Sequence, residues 1–191
     1  ARQLDEVRLP IHILLENHFG QLNESQEELL ATARSAAEAA DVELRRLRDI
    51  AELDRGALKL HREQVRVQDL LEALSPQLKA DGARAGVSVG LDMMPGLPRV
   101  AGDRVRLQEA FELLLRHLVR HAAPGAAITI ATSRENATVV VVVEGGPPPT
   151  LDADVALARR IILAHGGTLD HQKARTRVAL SSAAIGSTVR T

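Results

Sequence analysis

Asp103-Arg104-Val105-Arg106-Leu107-Gln108-Glu109-Ala110-Phe111-Glu112-Leu113-Leu114-Leu115-Arg116-His117-Leu118-Val119-Arg120-His121 anchors the reading of this chain. Leu107, Ala110, Phe111, Leu114, Leu115 and Leu118 recur at helical spacing, which predicts an amphipathic helix with a wide apolar face. Asp103 stands where an N-cap is needed, because its carboxylate can accept from the first free backbone N–H groups. Pro124-Gly125 stops the helix, and Ala126 to Ser133 predicts a strand. After Glu135-Asn136, Ala137-Thr138 lead into an unbroken valine run, Val139 to Val143. So many consecutive β-branched residues predict a central strand buried on both faces. Glu144-Gly145-Gly146 and the prolines at 147, 148 and 149 end it.

The rest of the composition narrows the class. A chain of 191 residues makes one large domain or two small ones. Hydrophobic residues are 45% but aromatics only 1%, so the core must be aliphatic and alanine-rich. The net charge of −1 favours neither nucleic acid nor an acidic membrane surface as a partner. The absence of cysteine excludes disulfides and thiolate metal sites. No apolar run reaches the roughly 20 residues that span a bilayer, and no signal-peptide pattern is present, so the reading is a cytoplasmic piece without a membrane segment. Ala1 to Leu4 already fit a helical stripe, so the chain is expected to begin mid-helix, as the C-terminal part of something longer.

Leu4, Val7, Ile11, Leu14 and His18 form one helical seam, which Pro10 should kink or loosen. Gly20 ends that helix, and Asn23 with Gln26 reads as the cap of the next. The second helix is expected over about 24–54. Leu30, Ala33, Ala37, Ala40, Leu44, Leu47 and Ala51 keep a heptad seam, which implies an antiparallel hairpin with helix 1. The outer faces of that hairpin then need a second copy, as in a four-helix bundle; the alternative is that the hairpin packs on its own globular domain. Gly56 closes the helix, and Ala57 to Val65 reads as an extended boundary segment. A third helix is expected from Val67 to Ala83 despite Pro76, which costs a helix interior about 3 kcal/mol. Val87 to Leu91 alternates like a strand, Met94 to Pro98 is a loop, Ala153 to Ala164 a last helix, and Thr168–Asp170 with Arg175–Leu180 a closing hairpin. The expected domains are 1–56, 66–180 and a weakly patterned tail, 181–191.

The order helix, hairpin, Glu144-Gly145-Gly146-Pro147, then a helix ending Ala158-Arg159-Arg160-Ile161-Ile162-Leu163-Ala164-His165-Gly166-Gly167, resembles the ATP-binding domain of a sensor histidine kinase. Leu97-Pro98-Arg99-Val100-Ala101-Gly102-Asp103-Arg104 leads into the helix as it does in that family. The resemblance covers almost the whole chain. It implies an α+β fold: an antiparallel helical hairpin forming a dimeric four-helix bundle for dimerisation and phosphotransfer, followed by an α/β sandwich of the kinase type. A homodimer and a response-regulator receiver domain are the partners it implies.

Against the family's motifs, this chain departs at each chemical position. Where the family has His-Glu-Leu-Arg-Thr-Pro-Leu, the chain reads Asp5-Glu6-Val7-Arg8-Leu9-Pro10-Ile11. Glu6, Arg8 and Pro10 match, but Asp5 replaces the phosphoacceptor imidazole, and a carboxylate is a poorer nucleophile in a different place. A solvated acidic helix face is the preferred reading of Asp5 and Glu6. His12 lies two helical turns on, at nearly the same azimuth, and is the alternative acceptor. The family's magnesium-holding asparagine corresponds to His117, and an earlier asparagine position to Leu113; neither supplies the oxygen that a hard cation needs. The family's Asp-x-Gly-x-Gly turn corresponds to Glu144, Gly146 and Pro148, with a longer carboxylate and a proline where glycine's freedom is required. The phosphate-cradling glycines correspond to Asp152 and Asp154, which suit a helix N-terminus but would repel a polyphosphate, and the mobile lid before them is missing.

The expected function is therefore a degenerate kinase core without catalytic residues, metal or cofactor. It would dimerise and present Asp5, Glu6, Arg8, Leu9 and His12 to a receiver domain. The alternatives are a phosphotransferase working through His12 and a kinase with atypical ligands. An anti-sigma-type kinase is disfavoured by the long hairpin. His117 and His121 have the i,i+4 spacing of a helical zinc pair, but no third ligand is evident.

Overall fold

In a computed structural model, residues 2–15, 20–56, 59–150 and 152–182 are described, with side chains from residue 9 onward in the first helix. The expectations for His18 and for the tail beyond Ser182 fall outside the described residues, as do those for the side chains of Asp5, Glu6 and Arg8. The chain divides into two compact units, Ala1–Asp49 and Ile50–Thr191.

The first unit holds α1 (Arg2–Leu15), with Pro10 inside it, and most of α2 (Glu24–Asp54). The start of α2 is a reciprocal capping box. Gln26 N–H donates to Asn23 Oδ1 at 2.9 Å, and Asn23 N–H donates to Gln26 Oε1 at 3.0 Å. The heptad seam is not buried as expected. Only Ala37 and Asp41 are buried on α2; Leu44 and Leu47 are 48% and 50% exposed, and Ala33, Ala40 and Ala51 are exposed as well. In the single chain these positions face solvent, with no second helix face against them among the described residues.

The second unit is an α/β sandwich. Its sheet has the order β2 (Ser88–Met93), β4 (Ala127–Glu135), β5 (Thr138–Glu144), β7 (Arg175–Ser181), β6 (Thr168–Gln172). β2 runs parallel to β4, and the other pairs are antiparallel. Three helices cover one face: α3 (Val67–Ala85), α4 (Arg104–His121) and α5 (Ala153–Ala164). α3 runs through Pro76 and is longer than expected. A separate ribbon pairs β1 (Glu63–Val65) with β3 (Val100–Gly102). The sequence reading placed no strand at Val100–Gly102, where three residues carry no usable alternation.

The core is aliphatic, as the composition requires. Phe111, Leu107, Leu114 and Leu118 of α4 meet Val139, Val141 and Val143 of β5 and Leu157 and Ile161 of α5, all buried. Each such side chain contributes about 1.5–3 kcal/mol when removed from water. Ile50 and Leu53, in the last turns of α2, pack against the same core. The valine strand is central, but burial on its second face is uneven: Val140 is buried and Val142 only half-buried. Asp103 caps α4 as read, accepting from Arg106 N–H at 3.1 Å.

Candidate functional site

The place to inspect is the C-terminal half of α4 against the start of α5. Heptad-like packing turns Leu114, Leu115 and Leu118 inward, and the same face carries His117, which is fully buried. An imidazole in that position needs partners for both nitrogens. The chain entering α5 brings a polar group close to each. Asp152 Oδ2 lies 2.7 Å from His117 Nδ1, and Thr150 brings its hydroxyl to 3.1 Å and its N–H to 3.4 Å from Nε2. With Nε2 accepting, the proton sits on Nδ1 and faces the carboxylate.

Asp152 works twice. Its Oδ1 accepts from Val155 N–H at 2.9 Å as the N-cap of α5, while Oδ2 meets His117. Burial pushes its pKa up, but the Val155 N–H and the imidazoles of His117 and His121 outweigh this and hold it below the usual carboxylate value. Asp154, in the first helical turn, is buried and pairs with Arg120 at 3.2 Å. As read from the sequence, it suits the helix N-terminus, and it also ties α4 to α5. His121 stacks on His117 with ring centroids 4.2 Å apart, its Nδ1–H donating to the His117 carbonyl at 2.9 Å.

The remaining positions separate. Gly146 is buried, and a β-carbon there would stand 3.5 Å from Leu118 of α4. Leu113 packs at the margin of the core, and Pro148 is exposed. Glu144 departs from the expectation. It follows Val143, which faces the core, so alternation turns it to the other side of the sheet, where it pairs with Arg175 of β7. It does not join His117 and Asp152. Gly145 turns the chain there with φ +81°, and a β-carbon would come within 2.0 Å of the Ala127 carbonyl oxygen.

Carboxylate, imidazole and hydroxyl stand here in the order of a nucleophile-activating string. The Asp152 oxygen, however, lies off the direction of a linear Nδ1–H bond, so Nδ1 has close charge without a directed acceptor. The arrangement fastens α4 to α5. Among the described residues, no three His, Cys, Asp or Glu groups are arranged to hold a metal ion. Thr150 and Arg120 were not singled out from the sequence. Their partners lie 33 and 34 residues away, beyond any local pattern.

Known proteins place this architecture. No protein-family model matches the chain. Sensor protein DivL of Caulobacter vibrioides is 27% identical over 121 residues, 63% of this chain but only 16% of that protein. The histidine kinase AdeS of Acinetobacter baumannii superposes with a TM-score of 0.68 at 16% identity, covering 95% of this chain and 96% of the other. Full-length ShkA, solved in complex with AMPPNP, gives 0.75 at 18% identity over 96% of this chain and 46% of its own. No described helix is long and apolar enough to cross a membrane. On sequence and fold together, the chain is a homologue of the sensor histidine kinase core, built as helices followed by an α/β sandwich of the kinase type.

Proposed function

We propose that this chain is a pseudokinase module of a two-component system, signalling in the cytoplasm by dimerisation and by binding a response-regulator receiver domain. One observation carries the reading. His117, at the position matched to the magnesium-holding asparagine, is buried and fastened to Asp152 and Thr150, next to the Arg120–Asp154 pair. A nucleotide's phosphates would have to break those contacts and then face two carboxylates at the head of α5. The helical unit would supply the dimer: Leu44 and Leu47 of α2 are half exposed in the single chain, as seam residues awaiting a second copy are. The exposed Leu9 and His12 of α1, with Asp5, Glu6 and Arg8, would form the receiver-facing surface.

Calorimetric titration with ATP and magnesium tests the central claim. The expected result is no saturable heat at micromolar nucleotide; a clear isotherm would overturn it. The second reading, phosphotransfer through His12, rests on the exposure of that imidazole on α1. Incubation with a phosphorylated receiver domain separates the two. Acid-labile label on this chain, lost in His12→Ala, would favour the relay.

A further inference from the structure

The opposite end of the α4–α5 pair carries a second buried histidine with a different design. His165, at the C-cap of α5, is 6% exposed. Its Nδ1–H donates to the Ile161 carbonyl at 2.7 Å, and its Nε2 accepts from Asp103 N–H at 2.9 Å. Both nitrogens are committed, and only the neutral ring satisfies both bonds, because a protonated Nε2 would point an N–H at an N–H. Asp103 extends the joint. Its Oδ1 caps α4 through Arg106 N–H, and its Oδ2 accepts from His61 N–H at 3.0 Å, just before β1. Arg62 adds a bond from its guanidinium to the Ala164 carbonyl at 3.0 Å. Gly102 of β3 makes the close approach possible, since a β-carbon there would stand 2.9 Å from the His165 ring and 2.6 Å from Leu107. A single imidazole therefore sits where α5, the head of α4, and the β1–β3 ribbon meet.

We propose that His165 is an acid-released latch, whose protonation detaches the β1–β3 ribbon and the head of α4 from the end of α5. This stands independently of the pseudokinase reading, since it involves none of the residues around His117. The charged groups facing the ring are Arg62 from the β1 side, which opposes a second positive charge, and Asp103 from the α4 side, which favours one. Burial lowers the pKa of His165; the Ile161 carbonyl opposes this, Arg62 reinforces it, and Asp103 opposes it again, leaving the value below the ordinary 6.5. The sign follows. The closed joint prefers the neutral ring, so its stability is full above the unperturbed value and is lost as pH falls towards the lowered one. A cleft of about 690 Å³, lined in part by His61, Asp103 and Val105, opens beside the joint and gives water a way in.

The test follows His165 by NMR on the whole chain between pH 7.5 and 5.0, together with amide protection of His61, Gln64, Ala101 and Asp103. Protection of these amides should fall by up to about tenfold per pH unit from 6.5 down to the lowered value at which the ring titrates, and level off below it, while amides in β5 keep theirs. His165→Gln, which keeps an acceptor for Asp103 N–H but cannot be protonated, should abolish the pH dependence. Should that variant fail to fold, Arg62→Gln serves: it brings the closed-state value back towards 6.5, so the loss of protection on acidification should be smaller than in the parent. Ribbon protection that stays constant while His165 titrates, or that falls alike in the variants and the parent, overturns the proposal.

Discussion

Replacing Asp152 by serine separates its two tasks. Serine caps a helix about as well as aspartate, so the bond to Val155 N–H would persist. Its short side chain cannot reach His117, so the buried Nδ1 would lose its only facing carboxylate. A buried polar group left without a partner costs about 1–3 kcal/mol. The Asp152 side chain is 42% exposed, so solvent screens the charge attraction and little is added for it. Because the Nδ1 contact is close charge and not a directed hydrogen bond, Asp152→Ser should lose about 1 kcal/mol, the low end of that range, and Asp152→Ala about 1 kcal/mol more for the missing cap. Urea unfolding at pH 7, followed by amide signals of α4 and α5, measures both. The pH dependence has a fixed sign. The folded carboxylate titrates below its ordinary value of 3.8, so its contribution is complete above that and disappears as pH falls through the lowered value. The gap between parent and Asp152→Ser should be constant from pH 7 to 5 and close under strong acid. A serine variant within about 0.5 kcal/mol of the parent at pH 7, inside the range of ordinary surface changes, would refute the view that this carboxylate fastens α4 to α5.

Three further outcomes are expected. Phe111, fully buried beneath the sheet, should cost about 3–5 kcal/mol as alanine in the same unfolding assay. The β6–β7 turn holds Lys173 and Ala174 at φ 48° and 60° without a glycine, so Ala174→Gly should stabilise the protein by about 1 kcal/mol, seen as a raised Tm. By light scattering the parent should have the mass of two chains and Leu44→Arg with Leu47→Arg the mass of one, with the α/β unit still folded; a parent of single-chain mass, or a variant of unchanged mass, would remove α2 from the proposed interface.

Much of the fold could be read because its signals are local. Asn23 with Gln26, Asp103 before the α4 stripe, and Asp152 before α5 are each decided within a few residues, and each cap forms as read. What the sequence hid was direction. A run of identical valines has no alternation, so nothing in it says which residues face inward, and the side on which Glu144 emerges could not be inferred. The two histidine joints were hidden for another reason. His117 with Thr150 and Asp103 with His165 lie 33 and 62 residues apart, and only the packed helix pair brings them together. The seam of α2 was legible as a pattern, yet a pattern cannot tell which copy of the chain covers it.

The uniformity of β5 carries one more consequence. If β5 slid by two residues against β4, valine would still meet the helices at most inward positions, so the side chains of the run do little to reject the error. Alignment must be enforced from the ends. Asn136, with φ 55°, forms the short turn between Glu135 and Thr138, and Gly145 pivots against Ala127 at the other end. These two small residues act as the stops of a ruler whose graduations are all alike, and loosening either would leave the strand free to settle out of step.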